Sequence, residues 1–76
     1  SNADPLALIL AEEKGKAIAA ALLKLKPKHQ QIIIDIYGRG LKLIEVAEVR
    51  GITLRTAWAR RHTAIKRLQS LLREWR

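Results

Sequence analysis

The chain has no cysteine, which excludes disulfides and a thiolate zinc site and fits a reducing interior. Acidic residues almost vanish toward one end. Residues 50–76 hold eight Lys/Arg against a single acid, Glu74, whereas residues 1–49 hold seven against six. Proline occurs twice, as Pro5 and Pro27, and both sit where a helix can begin. No apolar run is long enough for a membrane span. Residues 6–25 come nearest, but Glu12, Glu13, Lys14 and Lys16 interrupt their centre, where charges cost several kcal/mol. No secretory signal, internal repeat, low-complexity run or domain-dividing linker is read along the chain. His29 and His62 are far apart, and neither has a carboxylate at ligand spacing. No nucleophile–base pair or carboxylate pair is present. The expectation is a non-enzyme with no metal and no cofactor. The Gly38-Arg39-Gly40 stretch lacks the Lys-Ser/Thr of a phosphate-binding loop and follows no strand, so it reads as a turn.

What is present fills one small domain of 76 residues. Ser1 to Ala3 read as the remnant of an expression tag and are set aside, leaving residues 4–76. Hydrophobic residues make up 49% of the chain, which argues against disorder. The pattern predicts an all-α fold of four helices. The first starts at Asp4-Pro5, with Asp as cap, and runs toward Leu25, weakened or bent at Gly15. The second opens at Pro27 and stops at Gly38, with Ile32, Ile33, Ile36 and Tyr37 near one face. The third is short, about Leu43 to Arg50, with Leu43, Val46, Ala47 and Val49 inward. Gly51 fits a left-handed closing position. Thr53 is the next N-cap, with Ile52 and Ala57 spaced as a hydrophobic staple. The fourth helix runs from Leu54 to about Trp75. Its apolar stripe is Ala57, Ala64, Ile65, Leu68, Leu71, Leu72 and Trp75, and Arg55, Ala59, His62, Lys66 and Arg73 lie opposite.

A short helix, a Gly-containing turn and a longer basic helix make a helix-turn-helix, here about residues 42–75. Ala47 is small enough for a close crossing, and Gly51 tolerates positive φ. The longer helix then begins exposed, with a partial positive charge at its N-terminus that favours phosphate. Together with the basic excess this points to double-stranded DNA as partner. The stretch from Leu22 to about Leu72 resembles region 4 of the bacterial sigma-70 family, most closely the extracytoplasmic-function group. The resemblance rests on Leu25-Lys26-Pro27, Gly40-Leu41, Glu45-Val46-Ala47-Glu48 and Gly51-Ile52-Thr53. It implies reading of a −35 promoter element, docking on the RNA polymerase β-subunit flap, and a cytoplasmic place in a bacterium or phage-bearing cell. This chain departs from the family pattern at several positions. Lys42 stands where a Ser or Thr cap is usual, Ala57 replaces Val, Arg61 replaces Leu, and Trp58 replaces a polar reader. No region 2 is seen, so the chain reads as an excised domain or a standalone user of the module.

Carried over by position, the base-reading candidates are Leu54, Arg55, Thr56, Trp58, Ala59 and His62. The phosphate candidates are Thr53, Arg60, Arg61, Lys66, Arg39 and Lys42. Arg55 is the main reader, since a bidentate contact to guanine discriminates by about 1–3 kcal/mol; the plainer role is a phosphate contact. Thr56 suits a base, a phosphate or a filler of the first turn. Trp58 falls at the edge of the apolar stripe, where it is expected to cover the core; otherwise it meets a thymine methyl or a partner. Trp75 reads as a core cap. Arg61 is expected to pack its stem and snorkel its charge, with Glu45 or Glu48 as the alternative partner. The first helix completes the core or docks on a neighbouring domain or a second copy. The competing functional reading is a protein-interaction module, with an anti-sigma protein, the polymerase flap or itself as partner. A phage-type antitermination or late-gene regulator is a further use of the same fold.

Overall fold

The computed structural model describes residues 5–73. Four α-helices follow in order: α1 Pro5–Leu23, α2 Pro27–Ile33, α3 Leu43–Arg50 and α4 Leu54–Leu72. A wide π-helical turn, Ile34–Gly38, extends α2. The all-α expectation holds among these residues. α1 runs unbroken through Gly15, because backbone hydrogen bonding across its neighbours outweighs one glycine's entropy. It ends at Leu23 rather than Leu25. Lys24 and Leu25 bond back to the carbonyls of Ala21 and Leu22 at 3.0 and 3.1 Å, a tighter turn that finishes the helix. Lys26 then takes an extended ψ of 150°, as the residue before a proline must. Leu25 is not lost to the core by leaving the helix; it is buried at the junction.

The π turn accounts for one misplaced side chain. Arg39 N–H bonds the carbonyl of Ile34 at 2.8 Å and Leu41 N–H that of Asp35 at 2.9 Å, so the loops closed are wider than in an α-helix. That extra width shifts the register of the side chains. Tyr37, expected on the inner face, stands 65% exposed, while Asp35 is fully buried. Gly40, at φ 73°, lets the chain reverse into α3.

Lys42 supplies no side-chain cap to α3, as its chemistry dictates. Glu45 compensates in part, its Oε1 accepting the Lys42 N–H at 2.7 Å, half of a capping box. Gly51 closes α3 at φ 66°, ψ 36°, the left-handed position the sequence called for. Val49 was expected inside but is 58% exposed. The inner face of α3 is held by Leu43, Val46, Ala47 and Arg50, and Val49 is rotated away from it.

α4 is the hub, packing against α1, α2 and α3. Ala57 and Ala64 are its most deeply buried residues, both 0% exposed. Around them pack Leu25, Ile32, Ile33, Val46 and Ala47, with Ile52, Ile65, Leu68 and Leu71 at the margin. The expected stripe of α4 is therefore buried or half-buried as far as Leu72; Trp75 lies outside the described residues. Near the C-terminal end of α1, Leu22 packs against this core and Ala21 is buried. Its residues Ala11 to Lys16, and Leu8 and Ile9, are exposed. The radius of gyration is accordingly 14.5 Å, where about 11 Å is usual for this length.

Candidate nucleic-acid interface

The orientation of the helix pair is fixed by a buried ion pair. Arg50, the last residue of α3, donates Nε to Asp35 Oδ2 and Nη2 to Oδ1, each at 2.9 Å. Arg39 adds a longer contact to Oδ1 at 3.3 Å. The Arg50 hydrogen bonds hold the Asp35 carboxyl below its usual range, against the opposing effect of burial. A fork of two parallel bonds fixes angle as well as distance. The π turn is thereby tied to the end of α3, one residue before the turn that launches α4.

Thr53 starts α4 as expected. Its Oγ1 accepts the Thr56 N–H at 3.0 Å and its own hydroxyl proton goes to Thr56 Oγ1, also at 3.0 Å. The Thr53 hydroxyl is thus engaged on both sides, which makes it a structural cap before it is anything else. From this start the helix presents three surfaces. Arg55, Ala59, His62 and Lys66 are exposed in one line, opposite the fully buried Ala57 and Ala64. On one flank stand Leu54 and Trp58, both about half exposed. On the other lie Thr56 and Arg60, half-buried, with Thr63 and Arg67 exposed.

Trp58 does not cover the core. It is 52% exposed and its ring stacks on His62, centroids 5.2 Å apart and planes 4° from parallel. The i to i+4 spacing brings the two rings together on the outside of the helix. With Tyr37, Arg61, Ile65, Lys66 and Gln69 they line an open hollow. Arg61 is half-buried and, among the described residues, the ion pairs are those of Asp35 with Arg39 and Arg50, so neither Glu45 nor Glu48 holds it. The packed-stem expectation fits that placement.

The other flank carries cations that sequence reasoning did not select. Lys28 and His29 face Arg55, Thr56, Ala59, Arg60 and Thr63 across one hollow. Lys24, Lys26 and His29 face Thr63 and Arg67 across the next. Burial first, then the charges of Lys28, Lys26 and Arg60, push His29 below its ordinary range. These lysines come from the α1–α2 junction, and only the packing of α2 against α4 brings them alongside. Their spacing in sequence gives one hint: Lys24, Lys26 and Lys28 bracket Pro27 in alternation.

Of the sequence-selected residues, Leu54, Arg55, Thr56, Trp58, Ala59, His62, Arg60 and Lys66 lie on α4 away from Ala57 and Ala64, whereas Arg61 is half-buried in line with the apolar stripe. Arg39 is drawn toward Asp35, and Lys42 is exposed at the head of α3. Among the described residues no helix is long and apolar enough to cross a membrane. Compared with known proteins, residues 21–70 match the family described as Sigma-70, region 4. No curated protein matches the chain, and no solved structure does.

Proposed function

Because the chain belongs to the Sigma-70, region 4 family across residues 21–70, we propose that it reads a −35-like promoter element by laying α4 in the major groove. At the coarser level it is a helix-turn-helix DNA-binding module of the sigma-factor type, and the family is regulatory rather than enzymatic. The observation that carries the finer reading is the division of α4. Ala57 and Ala64 are sealed inside while Arg55, Ala59, His62 and Lys66 stand clear in a line on the far side. A helix so arranged can enter a groove without uncovering its core.

In this reading Arg55 forks onto a guanine edge, and Ala59, small and exposed, allows the helix close to the bases. Thr56 keeps its own hydroxyl proton to donate. Leu54 and Trp58 supply apolar contact, a thymine methyl being the natural counterpart. Arg60, Arg61 and Lys66 meet phosphates, with Lys42 and Arg39 further out and Thr53 holding the cap. The test is selection of bound duplexes from a random pool, followed by titration of the winner and a scrambled control at the same salt. Recovery of a −35-like half-element supports the proposal; equal binding of both duplexes at moderate salt ends it.

Docking on RNA polymerase, in the cytoplasm of a bacterium or a phage-bearing cell, is the companion proposal. What supports a protein partner is the apolar surface away from α4: Leu8 and Ile9 on α1, Ile44 and Val49 on α3, all exposed. A polymerase-flap or anti-sigma complex that forms without any duplex shift would make the protein-interaction reading primary.

A further inference from the structure

The flank of α4 that faces α2 is a cationic trough. Two adjoining hollows, ≈ 340 and ≈ 290 Å³, share His29 and Thr63 as a common wall. Each has room for about ten waters, ample for a phosphodiester group. Lys24, Lys26, Lys28, Arg55, Arg60 and Arg67 line them, and no acid does. Among the described residues none of these six cations is in an ion pair. Asp35, which shares a neighbouring hollow with Lys28 and Arg60, is already committed to Arg50 and Arg39. Empty, such a trough costs free energy by mutual repulsion; an anion relieves it.

We propose that this trough is a second, proton-linked anion site, which grips the phosphodiester backbone beside the reading face while His29 takes up a proton as a phosphate oxygen enters. The inference rests on α4 being the DNA-binding helix. The choice of occupant follows from continuity and length. The first hollow shares Arg55, Thr56 and Ala59 with the reading face, so a strand lying there is already at the duplex. From Arg55 to Arg67 the helix rises about 18 Å, room for several successive phosphates of one strand. A lone small anion would use only part of that length.

His29 makes the grip depend on pH. Half-buried among Lys28 and Lys26 of its own segment, Lys24 just after α1, and Arg60 and Arg67 of α4, its imidazole is held below its ordinary range while the trough is empty. A phosphate oxygen supplies the opposite charge that favours the imidazolium. The bound protein therefore holds its proton to higher pH than the free protein, and affinity rises as pH falls between those two values. Above both or below both the effect is flat.

The experiment titrates the selected duplex with the whole chain by fluorescence anisotropy at about pH 8 and about pH 5.5, ionic strength held constant. Wild type should tighten roughly three- to tenfold on acidification. His29→Gln should lose most of that gain, while His62→Gln should retain it whatever its affinity. In parallel, the His29 ring proton followed by NMR should titrate at higher pH with duplex bound than without. Lys24→Ala with Arg67→Ala should shrink the log–log salt slope by about one to two units. Equal acid-tightening in wild type and His29→Gln, or an unmoved His29 titration, overturns the proposal while leaving DNA binding intact. So does acid-strengthened, His29-dependent binding of polyglutamate while duplex binding shows no such acid gain, which would mark an acidic protein as the occupant. Failure of every duplex at every pH instead removes the underlying reading, and this inference with it.

Discussion

Asp35 is a charge that burial alone would expel, and it stays because Arg50 meets it with two bonds at 2.9 Å. Removing one partner of a buried pair costs about 3–5 kcal/mol, mostly from the charge left behind. Asp35→Ala should lower stability by that order in urea denaturation, a large share of what a domain this size has. Replacing Asp35 and Arg50 together by leucine and methionine should cost much less, since no unpaired charge remains. The same pair sets an acid limit. The carboxyl is held below its ordinary range in the folded chain, so its stabilisation is complete above the unfolded value, near 3.8, and fades as pH falls through the lower, folded one. Thermal melts of Asp35→Asn should therefore depend less on pH below about 4 than those of wild type. His29 acts in the same direction at milder acidity: its folded value lies below 6.5, so its contribution fades as pH drops beneath that range. On the exposed side the stakes are different. Arg55→Ala should reduce specific affinity by about 1–3 kcal/mol in duplex titrations and leave the melting curve unchanged, because the side chain touches no core.

At the scale of the helices, two glycines forecast opposite outcomes. Gly15 is exposed mid-helix, and a methyl there would meet nothing within 4 Å. Gly15→Ala should stabilise by up to about 1 kcal/mol. Gly51 also has open space, yet its φ of +66° strains any L side chain, so Gly51→Ala should destabilise by about 1–2 kcal/mol. Circular-dichroism melts of the two variants should move in opposite directions. These positions were readable from sequence because their signals are local: a glycine after a helical run, a threonine before one, an apolar stripe at helical spacing. The parts that escaped are decided across space. Nothing in "IIIDIYG" says that Asp35 turns inward, since the reason lies fifteen residues later in Arg50. Tyr37 was misplaced for the same cause, the wide turn that accompanies Asp35. Trp58 is expected by its angle on the helix to cover the edge of the core, but it stands 52% exposed and rests on His62 instead. The trough lysines are split between a helix end and a proline junction, and only packing aligns them.

For the molecule as a whole, the uneven placement of charge and core predicts two gradients. Neutralising about five phosphates should give a log–log salt slope near −4 to −5, and Lys66→Ala should reduce it by about one unit while weakening all duplexes alike. Hydrogen exchange should be slowest around Ile32, Val46, Ala57 and Ala64, where burial is deepest, and fast along Ala11 to Lys16, which pack on little. Exchange that is uniform along α1 and α4 would contradict this picture. The two alanines at the heart of α4 carry a further implication. Because the helix is seated through them and the half-buried Ile65, Leu68 and Leu71 beside them, the outward positions are released from any duty in the core. If α4 reads bases as proposed, substitutions at Arg55, Ala59 and His62 would retune which bases are preferred on an unchanged scaffold, so a lineage, or a designer, could rewrite target choice one side chain at a time without passing through an unfolded intermediate variant.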